Sequence, residues 1–292
     1  MTPESNHTRR GTATPVGRRT FLVRAAALIV APELLHHAAR RNAPSLAIGV
    51  LSPSEQTDGY RGALLGVEEA GHAAKLFGGS VRLVRMNDPG EGRALTAIVG
   101  DGSLEHMHAL ARRATAKELL VMNAECTADE LRGEGCADFL FHVAPSAAML
   151  RQAGALAPGA SEVVAWDGTL VRFGADTLND RFRQRFGVSM TPAAWGAWFA
   201  VKALWESALR VEDATPAALA AYLVRDATQF DGHKGKPLSF RSWDHQLRQF
   251  LYARVGKTLV DVPEDPRGAP SARIVLDRLG ASASSTSCRL VK

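Results

Sequence analysis

Short apolar runs alternate with segments of helical period through the first half of this chain, and that alternation restricts the fold more than any other feature. Residues 45–51 (SLAIGVL), 81–86 (VRLVRM), 97–99, 119–123 and 139–143 (FLFHV) read as strands. The nearly continuous apolar run 45–51 marks a strand buried on both faces, as in a parallel sheet. Between them lie a helix over about 60–75 with Asp58 as its cap, a helix opened by Ser103, and a helix over 149–156. Strand–helix–strand units of this kind build an α/β fold, a parallel sheet with flanking helices. One link is short. Only about ten residues, including Pro89, Gly90 and Gly92, separate the second strand from the third, fewer than a helical crossover needs.

The second half reads differently. Residues 163–166 form a candidate strand and 177–186 a helix. Thr191-Pro192 and Thr215-Pro216 each place a cap before a proline at the first helical position, opening helices to about Leu209 and Val224. Residues 249–255 and 258–262, joined by Gly256-Lys257, read as a hairpin. Beyond Pro263 the chain is rich in Pro, Gly and Ser and reads as irregular except near 274–279.

Residues 1–43 stand apart. Arg18-Arg19-Thr20-Phe21-Leu22 precedes an apolar stretch that stops at Pro32, too short for the roughly 20 residues of a membrane span. A charged stretch before a short apolar one is the pattern of an export signal, here twin-arginine-like, with Gly17 where that pattern usually has Ser or Thr. A basic tail is the alternative, and no clean A-x-A cleavage site follows. The leader also explains the charge. Of 35 basic and 30 acidic residues, positions 1–43 hold seven arginines and two glutamates, leaving 28 of each. A neutral body argues against nucleic acid as a partner.

Cys126, Cys136 and Cys288 allow one disulfide in an oxidising compartment. Cys136–Cys288 would tie the last residues to the body, Cys126–Cys136 is the local pairing, and three buried thiols is the third possibility. No spacing fits a zinc site.

Candidate binding residues collect where strands end, because open parallel sheets bind ligands at their carboxyl edge. Gly100-Asp101-Gly102-Ser103 joins a strand to a helix start, where backbone N–H groups attract carboxylates; the bland reading is an ordinary cap, and Asp101 itself favours an amine or a cation. Asn123, Glu125 and Thr127 follow the next strand. Ser52, Ser54, Asp58 and Tyr60 follow the first, with Tyr60 placed to stack on a ligand or to pack. Asp58, Asp101, Glu125 and Asp129 could converge as hard oxygen donors, though without an ordered metal-loop motif. Trp195, Trp198 and Trp205 at helical spacing read as core, with ligand clamping or partner docking as alternatives. His106 and His108, two apart on a helix, make a poor metal pair. No nucleophile elbow, HExxH, P-loop or dinucleotide motif occurs, so the reading is a non-enzyme with no cofactor and no resident metal.

Taken in order, IGVLSPSEQTDGYRGALLGVEEA, VRLVRMNDPGEG, AIVGDGSLEHMHALA, LLVMNAECTADEL, FLFHVAPSAAMLRQAGALA and FDGHKGKPLSFRSWDHQLRQFLYARVGKTLV resemble the type I periplasmic-binding proteins, the branched-chain amino-acid-binding class of ABC transporters. LRGEGCADFLFHVAPSAAMLRQAGALA, KGKPLSFRSWDHQLRQ and Cys288 resemble more narrowly the branch associated with quinone-dependent alcohol dehydrogenase systems. The resemblance implies a periplasmic solute-binding component. It would bind a small polar ligand through Ser52, Tyr60, Asp101, Gly102, Ser103, Asn123, Glu125 and Thr127. Its partners would be ABC transporter membrane components and, in that branch, a periplasmic dehydrogenase. The resemblance also favours Cys136–Cys288. It divides the chain into a leader (1–43), a first α/β lobe (44–157), return helices and closing hairpin (158–262) and an irregular tail (263–292). After Pro158-Gly159 the sequence resembles a later part of the family pattern, which implies a second lobe reduced by about 100 residues. The alternatives are a non-catalytic interaction protein serving an alcohol dehydrogenase system, or a decayed binding protein.

Overall fold

The structure, a computed structural model, describes residues 44–91, 94–116, 119–264 and 272–290. The leader and its twin-arginine pattern lie outside the described residues.

Five strands, β1 (Ser45–Leu51), β2 (Ser80–Met86), β3 (Ala97–Gly100), β4 (Leu120–Asn123) and β5 (Leu140–His142), form a parallel sheet in the order β2-β1-β3-β4-β5. Ser45 lies opposite Ser80, Ile48 opposite Ala97, Ala97 opposite Leu120 and Val121 opposite Leu140. Helices α1 (Asp58–Leu76) and α2 (Leu104–Thr115) follow β1 and β3. Thr57, not Asp58, caps α1 by accepting from Tyr60 N, so the helix begins two residues earlier than its apolar period indicates and Asp58 occupies its first turn. Between β2 and β3 the described residues hold no helix. Both strands flank β1, so their separation is about two strand spacings, a distance ten extended residues cover easily.

A second, three-stranded antiparallel sheet joins β6 (Ala160–Val164), β9 (Leu251–Val255) and β10 (Thr258–Val262) in the order β10-β9-β6. Helix α3 (Ala147–Leu156), capped by Ser146, packs on it. Met149, Ala153, Leu251, Ala253, Val262 and Leu279 give this sheet a small core separate from the main one.

Helices α4 (Ala175–Phe186), α5 (Pro192–Val211) and α6 (Pro216–Leu223) return the chain to the parallel sheet, followed by the two-residue strands β7 (Ser239–Phe240) and β8 (Leu247–Arg248). Gln246 bridges to His142, so this segment covers the β5 edge of the sheet. A last short helix, α7, spans Ala272–Leu276. Thr191 and Thr215 cap α5 and α6 with proline in the first turn, as their Thr-Pro pairs require. Helix α5 lies against α1 so closely that a Cβ on Gly62 would fall 1.9 Å from the Ala194 carbonyl oxygen. Trp195, Trp198 and Trp205 on α5 are 0%, 2% and 5% exposed. Trp195 stacks between Trp166 and Phe199 at 5.6 and 5.3 Å. The cluster is core, and the aromatic docking face allowed by the sequence does not exist.

Among the described residues the chain passes between the two sheets at 143–146, 165–167 and 249–250, and one lysine gathers these passages. Lys234, 2% exposed, donates to the Ala165 carbonyl, to Gln249 Oε1 at 2.7 Å and to the Phe250 carbonyl at 2.9 Å. Gln249 Nε2 donates in turn to the Val143 carbonyl at 2.6 Å. The ammonium stands 4.1 Å from the centre of the Trp195 ring, and burial holds its pKa well below the usual lysine value.

Cys136 and Cys288 form a disulfide across 152 positions, with Cα atoms 5.7 Å apart, and Cys126 is a buried free thiol. The local Cys126–Cys136 pairing is not formed.

Candidate functional site

The carboxyl ends of β1, β3, β4 and β5 open into two adjoining cavities. One, of about 360 Å³, lies between the two sheets. Val143, Pro145, Leu150, Val163 and Trp195 supply its apolar wall, and Asp58, Glu125, Thr127 and Thr191 its polar groups. The other, of about 290 Å³, lies over the ends of β1 and β3, beside Ser52, Asp101 and Gly102. Both are lined by Asp58, Ala124 and Glu125. The two therefore make one groove along the sheet edge, where ligands bind in open parallel sheets.

Glu125 stands at the junction. The residue is exposed to the groove, yet the surrounding walls withdraw water from its carboxyl. Burial, then the charges of Asp101 and Asp58, raise its pKa above the ordinary carboxylate value, and a backbone hydrogen bond from Gly102 opposes the rise. Gly59 and Gly102, at the starts of α1 and α2, flank this side chain: a Cβ on Gly102 would lie 3.3 Å from Glu125 Cγ, and one on Gly59 4.0 Å from Oε2. Asp58 Oδ2 accepts from the Thr191 hydroxyl at 2.9 Å, joining the starts of α1 and α5 across 133 positions.

The other residues read from the sequence divide into those that face the groove and those spent on the scaffold. Asp101 lines the groove, accepts from Ser103 N at 3.1 Å and lies 3.0 Å from His106 Nδ1. Ser103 acts as the helix cap, its hydroxyl accepting from His106 N at 3.3 Å. At this loop the Gly102 and Ser103 backbone N–H groups are taken by the Glu125 and Asp101 carboxylates. Asn123 is fully buried. Its Nδ2 donates to the Cys126 carbonyl at 2.8 Å and to His142 Nδ1 at 3.0 Å, and its Oδ1 accepts from Glu125 N and Cys126 N. It shapes the loop that presents Glu125 and does not reach the groove. Ser52 is buried, its hydroxyl 2.7 Å from the Ser54 carbonyl and 2.5 Å from the Thr57 hydroxyl. Tyr60 is half-buried against the main core and lines neither cavity. Thr127 faces the larger cavity. Asp129 leaves the acidic set altogether, accepting from Ala148 N at 2.8 Å and pairing with Arg151 at 3.1 Å.

Among the described residues no group of three or more His, Cys, Asp or Glu side chains is arranged to hold a metal ion, and no helix is long and apolar enough to cross a membrane. Thr191 and the wall residues Val143, Pro145, Leu150 and Val163 were not readable as site residues, while Trp195, for which ligand clamping is the alternative to core packing, joins that wall. The Thr-Pro pair signals a helix start but not the element that start will face.

No protein-family model matches the sequence, and no curated protein matches it. Solved structures do match in shape. A periplasmic binding protein from Burkholderia mallei superimposes with a TM-score of 0.65 at 11% identity, over 86% of this chain and 100% of that one. A branched-chain amino acid transporter substrate-binding protein from Streptococcus pneumoniae, in complex with isoleucine, gives 0.58 at 14% identity, over 74% and 99%. An ABC transporter solute-binding protein from R. palustris, in complex with benzoate, gives 0.61 at 11% identity, over 85% and 99%. The chain has the type I periplasmic-binding-protein fold.

Proposed function

We propose that this chain is the periplasmic solute-binding component of an ABC transporter and holds a small polar ligand in the groove at the strand ends. The observation that carries the reading is the pair of cavities meeting at Asp58 and Glu125, at the sheet edge and between the two sheets. Solved structures of the same fold hold isoleucine and benzoate. Both ligands combine an apolar body with a carboxylate, and the wall of Val143, Leu150, Val163 and Trp195 suits such a body. The charged end differs here. Asp58, Asp101 and Glu125 line the polar part of the groove, so the ligand presents an amine or another cationic donor to them.

Thermal unfolding of the disulfide-intact protein against amines, amino acids and simple carboxylates tests this. A ligand at 100 times its Kd adds about 2.7 kcal/mol and raises the midpoint clearly. The expected result is a shift by an amine-bearing, partly apolar compound that Glu125→Gln weakens at least tenfold. A carboxylate without an amine that binds as tightly overturns the charge assignment. A panel that leaves the midpoint unmoved overturns the binding role and favours a decayed binder. The interaction-protein alternative, serving an alcohol dehydrogenase system, loses the surface that motivated it, because the tryptophans of α5 are buried.

A further inference from the structure

A third cavity, of about 230 Å³, lies away from the groove, between the start of α3 and residues 280–287. Its wall holds Arg241, whose side chain is wholly buried. Two of its three nitrogens are spent: Nε donates to Asp277 Oδ1 at 3.0 Å, and Nη2 to the Leu276 and Leu279 carbonyls at 3.1 and 2.6 Å. Nη1 has no hydrogen-bond partner. Asp244 Oδ2 lies 3.6 Å from it, and a Cβ on Gly280 would fall 3.1 Å away. Asp244 and Gly280 both line the cavity, which places Nη1 at its wall.

The charge around this atom does not balance. Arg132, Arg241 and Arg248 are buried, and the carboxylates among them are Asp244 and Asp277. Asp277 is shared by Arg241 and Arg248. Burial pushes the Asp244 carboxyl above the usual carboxylate range, and the charges of Arg241 and Arg132 pull it back. The carboxylate of Asp129, at the rim, is paired with Arg151. Leaving one donor of a buried guanidinium without an acceptor is costly. The hydroxyl-bearing Ser146, Ser285 and Ser287 line the same space.

We propose that this cavity binds a small oxyanion, which takes a hydrogen bond from Arg241 Nη1 and supplies the missing negative charge. The site is separate from the ligand groove and independent of any transport role. Its position behind the segment that Cys288 ties to Cys136 places the ion between that segment and α3.

The test is thermal unfolding of the disulfide-intact protein in sulfate, phosphate or acetate, each against chloride at equal ionic strength. Sulfate and phosphate also stabilise proteins generally by exclusion from the surface, an effect that grows in proportion to concentration and not to its logarithm. Ala148→Met, which fills the cavity, and Arg241→Met, which removes the donor, separate the two contributions. The expected result is a midpoint that rises with the logarithm of anion concentration once that exceeds the Kd, with that component lost in both variants and kept in Glu125→Gln. Ala148→Met alone suffices if Arg241→Met does not fold. Acetate acting as strongly as sulfate identifies a carboxylate site, and sulfate or phosphate acting alone identifies a tetrahedral-anion site; either supports the proposal. No logarithmic component, or one that survives Ala148→Met, overturns it.

Discussion

Gly62 and Gly71 lie on the same helix, and alanine at each should act in opposite directions. At Gly62 a Cβ would meet Ala194 of α5 at 1.9 Å from the oxygen, 2.6 Å from the carbonyl carbon and 2.8 Å from Cα. All three are backbone atoms, so no rotamer change relieves the clash. Reaching an ordinary contact of 3.4 Å requires the helices to part by about 1.5 Å. A gap of that size forfeits most of the dispersion energy of the atoms on either side. One turn on, Gly66 faces Val201 and the Trp198 carbonyl at similarly close range and would lose its contacts too. Overpacking at a rigid interface of this kind should cost about 3–5 kcal/mol. At Gly71 nothing lies within 4 Å of the added carbon, so alanine should gain about 0.5–1 kcal/mol from helix propensity and the narrower unfolded state. Urea unfolding of both variants measures the contrast. Because Ala194 sits among the groove residues Thr191, Pro192, Ala193, Trp195 and Gly196, Gly62→Ala should also weaken ligand binding, while Gly71→Ala leaves it unchanged. A Gly62→Ala loss below about 1 kcal/mol would refute the claim that backbone packing holds α1 and α5 at this distance.

Other consequences can be checked the same way. Removing the disulfide with Cys136→Ser and Cys288→Ser frees a 152-residue loop in the unfolded chain; the chain-entropy model gives about 5 kcal/mol and measured cases run about 2–5, so urea midpoints should fall accordingly, and an unchanged midpoint would contradict it. Glu125 has a raised pKa in the folded state, so the folded protein holds that proton more tightly than the unfolded chain. Its contribution is fully present below the ordinary carboxylate range and is lost as pH rises through the raised value. Glu125→Gln should therefore stabilise the ligand-free protein at pH 7, with a gain that vanishes on acidification; a gain independent of pH would show that some other effect operates. Asn123→Ala should destabilise by about 2–4 kcal/mol by stranding the buried His142 Nδ1 and the Cys126 N–H; an unchanged melting temperature with lost ligand binding would instead place Asn123 in the groove.

The sheet was legible because its strands are short, apolar and separated by capped helices, signals carried within a few residues. The hairpin around Gly256-Lys257 and the Thr-Pro helix starts are local in the same sense. What the site residues do was less legible, because their partners are distant. Asn123 looks like an exposed loop amide until His142 and the Cys126 turn close around it. The Ser103 and Gly102 N–H groups look like free donors until Asp101 and Glu125 are found accepting from them. Asp58 has the composition of a cap, but Thr57 takes that role and Asp58 meets Thr191 instead. The buried charges around Arg241 lie on segments far apart in sequence, and no spacing rule marks them as neighbours.

Lys234 has a further consequence. A single side-chain nitrogen, with the Gln249 amide as its extension, is riveted to all three described passages between the sheets. None of these passages can slide along its neighbours without breaking one of these hydrogen bonds. Severing the backbone at one passage leaves the other two fastened through the same joint. Two fragments divided at 165–167 and produced together should reassemble into one body, and replacing Lys234 with methionine should abolish that reassembly before it abolishes folding of the uncut chain.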